Sequence, residues 1–102
     1  MTRVGRYLTS ICVIKSIRSK ALKLFTTKGD ASKLPITQIA RLTRQIVALD
    51  AATTPDDMNV PGWRFHGLQG KPKRYVVDAS GNYRLTFGWD NGAIDVDLED
   101  YH

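Results

Sequence analysis

A chain of 102 residues makes one domain with one modest core, because a chain this short buries only about two-thirds of its unfolded surface. Hydrophobic residues supply 42% and charged residues 25%, a globular balance that excludes wholesale disorder. No apolar run approaches the roughly 20 residues of a membrane span. The net charge of +5 is unevenly spread. Five of the ten acids (Asp90, Asp95, Asp97, Glu99, Asp100) fall after Trp89, and all fifteen Lys and Arg precede them. A basic body with an acidic last strand suits a polyanionic partner. On charge alone, a solvated surface that serves solubility is the alternative.

At the N-terminus, Arg3 and Arg6 precede Tyr7 to Ile14. Thr9 and Ser10 interrupt that apolar stretch, and it lacks a small-residue cleavage site, so it is not read as a targeting peptide. Cys12 is the single cysteine, which excludes an intramolecular disulfide and a thiolate metal site. It reads as a small buried hydrophobe on a strand over Cys12–Ser16, in a protein suited to a reducing cytosol. From Ser16 to Lys28, Ile17, Ala21, Leu22, Leu24 and Phe25 alternate with Arg18, Lys20, Lys23 and Lys28, which predicts a short amphipathic helix stopped by Gly29-Asp30. Pro35 sits where a second helix can begin. Ile36, Ile39, Leu42, Ile46 and Leu49 carry its period to about Asp50, with Arg41, Arg44 and Gln45 on its wet side. Thr54-Pro55-Asp56-Asp57 predicts a capped single turn.

Trp63 to Lys73 has no clean period and is expected to be an ordered loop of the kind that carries function. Arg74 to Asp78 is a strand. Tyr83, Leu85, Phe87 and Trp89 alternate with Arg84 and Thr86 in the next, and Asp90-Asn91-Gly92 is a hairpin signal. Ile94, Val96 and Leu98 then alternate with Asp95, Asp97 and Glu99. The order strand, two helices, three strands predicts an α+β sandwich, with helices on the apolar face of a C-terminal antiparallel meander. Arg84 then points onto the open face, within reach of the loop and the chain end.

The histidines are His66, in the loop, and His102, the last residue. Two imidazoles near one phosphodiester can cleave RNA without metal. A base takes the ribose 2′-hydroxyl proton, and an acid protonates the leaving 5′-oxygen. Cations must stabilise the phosphorane, and Lys71, Lys73, Arg74 and Arg84 are the nearest. Tyr101 can stack on a base or pack the terminus. Lys71-Pro72-Lys73-Arg74 can hold phosphates or be merely solvated. Two histidines without a clustered third ligand fit no familiar zinc spacing, so neither metal nor cofactor is expected.

Four blocks carry a family resemblance. They are Leu49-Asp50-Ala51-Ala52, Met58 to Gly70 (with Pro61-Gly62-Trp63-Arg64-Phe65-His66), Gly81-Asn82-Tyr83-Arg84-Leu85-Thr86-Phe87, and Glu99-Asp100-Tyr101-His102. In order and spacing they resemble the HigB branch of the RelE/ParE toxin superfamily. The match runs from about Val13 to His102, leaving residues 1–12 as an extension and 13–102 as a RelE-like toxin domain. The resemblance implies a cytoplasmic toxin of a type II toxin–antitoxin pair, one that binds the ribosomal A site and cleaves mRNA without metal. The implied functional positions are His66, Arg84, Asp100, Tyr101 and His102. The implied partners are the ribosome with its mRNA and a helix-turn-helix antitoxin, operator DNA being met only through the antitoxin. Gln69 stands where the family often has a lysine, and Lys71 and Lys73 are the nearest replacements. A gyrase-poisoning inhibitor on the same fold and an RNA-binding module without cleavage are the competing readings.

Overall fold

The computed structural model describes residues 14–100. In chain order it has helices α1 (Lys20–Lys28) and α2 (Ile39–Ala51), a 3-10 turn (Pro55–Met58), and strands β1 (His66–Leu68), β2 (Arg74–Ser80), β3 (Tyr83–Trp89) and β4 (Ala93–Asp100). The strands form one antiparallel sheet in the order β1-β2-β3-β4. This is the expected α+β architecture with two differences in the strand plan. The segment expected to be a loop contributes an edge strand. The expected N-terminal strand is reduced, among the described residues, to two isolated parallel bridges, Ile14 to Ala93 and Ile17 to Val96. Cys12 lies outside the described residues. None of the described helices is long and apolar enough to cross a membrane.

Local chemistry explains where the helices begin and end. Ser19 caps α1 by accepting from the Leu22 N–H at 3.2 Å. Gly29, with φ 70°, closes it in the left-handed conformation and donates its N–H to the Phe25 carbonyl. The second helix starts four residues after Pro35 rather than at it. Leu34 and Ile36, on either side of the proline, are drawn into the core instead. The Asp57 carboxylate stitches the 3-10 turn. It accepts from the Thr53 N–H at 2.8 Å, the Thr53 hydroxyl at 3.1 Å and the Thr54 N–H at 3.3 Å. Those bonds, the Thr53 N–H first, hold its carboxyl below the usual range.

The core lies between the helices and one face of the sheet. Leu22, Leu42, Leu49 and Met58 meet Val77 and Ala79 of β2, Leu85 and Phe87 of β3, and Ala93 and Val96 of β4. Phe65, Tyr75 and Phe87 stack in sequence along that same face. β4 departs from simple alternation. Asp95 has φ 49°, and the register slips by one residue between Thr86 and Gly88. This bulge puts Ile94 opposite Gly88 on the face away from the helices, and it returns Val96 to the core.

Candidate functional site on the open face of the sheet

A tight turn delivers His66 to the sheet. In Val60-Pro61-Gly62-Trp63 the Trp63 N–H donates to the Val60 carbonyl at 3.0 Å, and Gly62 takes φ 90°. Proline second and glycine third are what a turn needing positive φ at its third residue selects. Trp63 is buried and anchors the turn. Arg64, also at positive φ (55°), reverses the chain into β1. His66 then pairs with Val76 and stays exposed. Its Nδ1 lies 2.9 Å from the Arg64 carbonyl oxygen. A carbonyl only accepts, so Nδ1 carries a hydrogen, and in the neutral form of the ring the lone pair falls on Nε2.

Antiparallel register assembles the rest. His66, Val76, Thr86 and Asp97 form one row across the open face, and Leu68, Arg74, Gly88 and Ile94 form the next. His66 is therefore a diagonal neighbour of both Arg74 and Asp78, about 7–8 Å away along the backbone. Arg74 Nη2 donates to the Thr86 hydroxyl at 3.0 Å and to the Asp95 carbonyl at 2.9 Å. The bulge turns that carbonyl toward the face. The Thr86 hydroxyl, fully buried, passes its own hydrogen to Glu99.

Asp78 is the second junction. Its backbone N–H donates to the Trp63 carbonyl at 2.8 Å. Its own carbonyl accepts from Gln45 Nε2 at 2.6 Å and from Arg41 Nε at 3.2 Å, both on α2. Arg41 also donates to the Gly62 carbonyl at 2.6 Å, so one side chain ties α2 to both the turn and the sheet. Gln45 is thus buried, against the expectation of a wet position, because β2 presents it a carbonyl. The Asp78 carboxylate lies on the open face. Arg84 Nε is 2.8 Å from one of its oxygens, and Arg64 Nε is 3.5 Å from the other.

The structure thus brings His66, Arg74 and Arg84 to one face, and Arg64, Asp78, Thr86 and Glu99 join them. Lys73 is elsewhere. Its ammonium sits 5.5 Å from the Tyr75 ring centre and beside Gly67, on the helix side of the sheet. Lys71 is exposed in the connection between β1 and β2. Asp100 pairs with Tyr83, so it shares the helix-side face and borders a cleft with Pro35, Thr37 and Asn82. Its neighbour Glu99 occupies the open face. Tyr101 and His102 lie outside the described residues. Asp78 and Glu99 were missed as site residues, although each has a trace in the sequence. Asp78 is a lone acid in the run Tyr75-Val76-Val77-Asp78-Ala79, and Glu99 falls on the polar side of β4.

Two helices packed on a four-stranded antiparallel sheet make an α+β fold consistent with that of the RelE-like toxins. The model of the HigB-like family, described as RelE-like toxin of type II toxin-antitoxin system HigB, matches residues 15–102. The chain belongs to that family. It is 35% identical over 92 residues to Endoribonuclease HigB of Proteus vulgaris, an alignment covering 88% of this chain and 100% of that protein.

Proposed function

We propose that this protein is an endoribonuclease, the toxin of a type II pair, which inhibits translation by cutting mRNA in the ribosomal A site. The observation that carries the reading is the meeting of His66, Arg74 and Arg84 on one open face, with the Nε2 lone pair of His66 available to a substrate. In the proposed reaction the base removes the ribose 2′-hydroxyl proton, and O2′ attacks the adjacent phosphorus. The bond to O5′ breaks, and O5′ takes a proton from the acid, leaving a 2′,3′-cyclic phosphate. His66 and His102 share these two roles. Arg84 and Arg74 stabilise the charge of the phosphorane. Tyr101 stacks on a base, Asp100 holds the chain end, and Lys71 contributes to phosphate attraction. The chemistry requires no metal. Residues 13–102 form the working domain, residues 1–12 are an extension, and the protein acts in the cytoplasm. A helix-turn-helix antitoxin holds it inactive and carries the complex to operator DNA.

The test is induction in cells followed by mapping of transcript 5′ ends, with untranslated transcripts as the comparison. Cuts confined to translated mRNA, absent in His66→Ala and Arg84→Ala, are expected. Intact mRNA, together with undiminished toxicity of both variants, refutes the reading.

A further inference from the structure

Asp78 holds two guanidiniums that arrive from different directions. Arg84 comes from β3 and is largely buried, its side chain only 24% exposed, with Nε 2.8 Å from Asp78 Oδ1. Arg64 comes from the turn before β1 and is 78% exposed, with Nε at the longer distance of 3.5 Å from Oδ2. The carboxylate between them is itself only 23% exposed. It cannot wander, because the Asp78 backbone is fixed on both sides. Trp63 accepts its N–H, while Gln45 and Arg41 of α2 donate to its carbonyl. Arg64 is constrained at its backbone too, by a positive φ and by the His66 ring bonded to its carbonyl.

Two forked cations that share one carboxylate are spaced to share one phosphate, since both anions accept hydrogen bonds through paired oxygens. The unequal grip divides the labour. Arg84 is pre-set by the short contact, with Nη1 also donating to the Gly81 carbonyl at 3.2 Å. Arg64 is held weakly in solvent, where an ion pair stabilises little, so it is the guanidinium that turns outward to an arriving phosphate. We propose that Asp78 is a positioning residue that sets Arg84 and Arg64 as a two-arginine clamp for an RNA phosphate beside His66. The proposal rests on the endoribonuclease reading for its substrate, and it adds Arg64 as a binding residue and Asp78 as its organiser.

The experiment compares wild type, Asp78→Asn, Arg64→Ala and Arg64→Lys on ribosomes programmed with mRNA. Single-turnover cleavage is measured at saturating toxin. Binding to ribosomes carrying 2′-O-methyl mRNA is measured across a salt series. Asp78→Asn keeps every backbone bond and removes a negative charge from a phosphate-facing surface. A surface acid with no positioning role gives tighter binding at an unchanged maximal rate. The clamp predicts a maximal rate lower by roughly 10-fold or more, with binding equal or tighter. Arg64→Ala, at an exposed position, predicts binding weakened by about 10-fold and a salt slope smaller by about one, with Arg64→Lys restoring the slope. A wild-type maximal rate in folded Asp78→Asn overturns the proposal. So does an unchanged salt slope in Arg64→Ala, which stands as the test even if Asp78→Asn fails to fold. Wild-type protein that leaves mRNA intact sinks the nuclease reading instead, and the clamp is then judged on the salt slope alone.

Discussion

Replacing Thr86 by valine keeps the shape of a fully buried side chain and deletes one hydroxyl. That hydroxyl accepts from Arg74 at 3.0 Å and donates to Glu99, so two charge-assisted hydrogen bonds end on it. Such bonds each contribute about 1.5–3 kcal/mol. Part of the loss is recovered. Arg74 keeps the Asp95 carbonyl at 2.9 Å, and Glu99 is only half-buried, so water takes the place of the hydroxyl there. The expected cost of Thr86→Val is therefore about 2 kcal/mol, less than the roughly 3–6 kcal/mol of the two bonds because part is recovered. For a domain of this size that lowers Tm by roughly 8–16 °C. Thr86→Ser supplies the control. It keeps the hydroxyl and loses one methyl group, at a cost of about 1 kcal/mol. Urea unfolding and thermal melts of the two variants decide the matter. If Thr86→Val is as stable as Thr86→Ser or more so, packing rather than the hydroxyl bridge holds this part of the sheet, and the reasoning fails.

Gln45→Met removes the donor to the Asp78 carbonyl but also removes Oε1, a buried oxygen with no hydrogen-bond partner among the described residues. Arg41 still serves the carbonyl, so unfolding in urea is expected to show a change within about 1 kcal/mol, whereas Gln45→Glu, which buries a charge, costs about 3 kcal/mol. Gly88→Ala brings a methyl to 3.1 Å from Ile94 Cγ1 and is expected to cost about 1–2 kcal/mol in the same measurement. Gly67→Ala presses only on the movable end of Lys73, with Tyr75 Cδ1 at an ordinary 3.8 Å, and should stay within about 0.5 kcal/mol. The lowered carboxyl of Asp57 predicts a pH effect with a definite sign. Its contribution is complete above the unfolded carboxylate pKa of about 3.9 and is lost as pH falls through the lower folded value. Stability measured by urea unfolding from pH 6 downward should therefore fall less steeply below about pH 4 in Asp57→Asn than in wild type, and parallel profiles count against the stitched turn.

Where a residue's environment is set by its near neighbours in the chain, the sequence could be read directly. Ser19 and Gly29 bound α1, Pro61-Gly62 shapes the turn before His66, and alternation in β3 put Arg84 on the open face. The misreadings come from strand pairing, through the backbone groups that a distant strand presents or the face that its register assigns. Gln45 reads as solvent-facing on a helical period, and a carbonyl thirty-three residues away makes it a buried donor. His66 to Leu68 reads as loop, with glycine beside an exposed histidine, because its strand identity comes from pairing with β2 and not from its own residues. Lys73 and Arg74 look equivalent as a basic cluster. Strand parity sends one to Tyr75 on the helix side and the other to Thr86 on the open face. The same parity separates Asp100 from Glu99. A charge cluster in a sequence therefore specifies how many cations are near a sheet, and register alone decides how many of them a phosphate on one face can meet. On this face the count includes Arg64, which belongs to no cluster, and it excludes Lys73, which does.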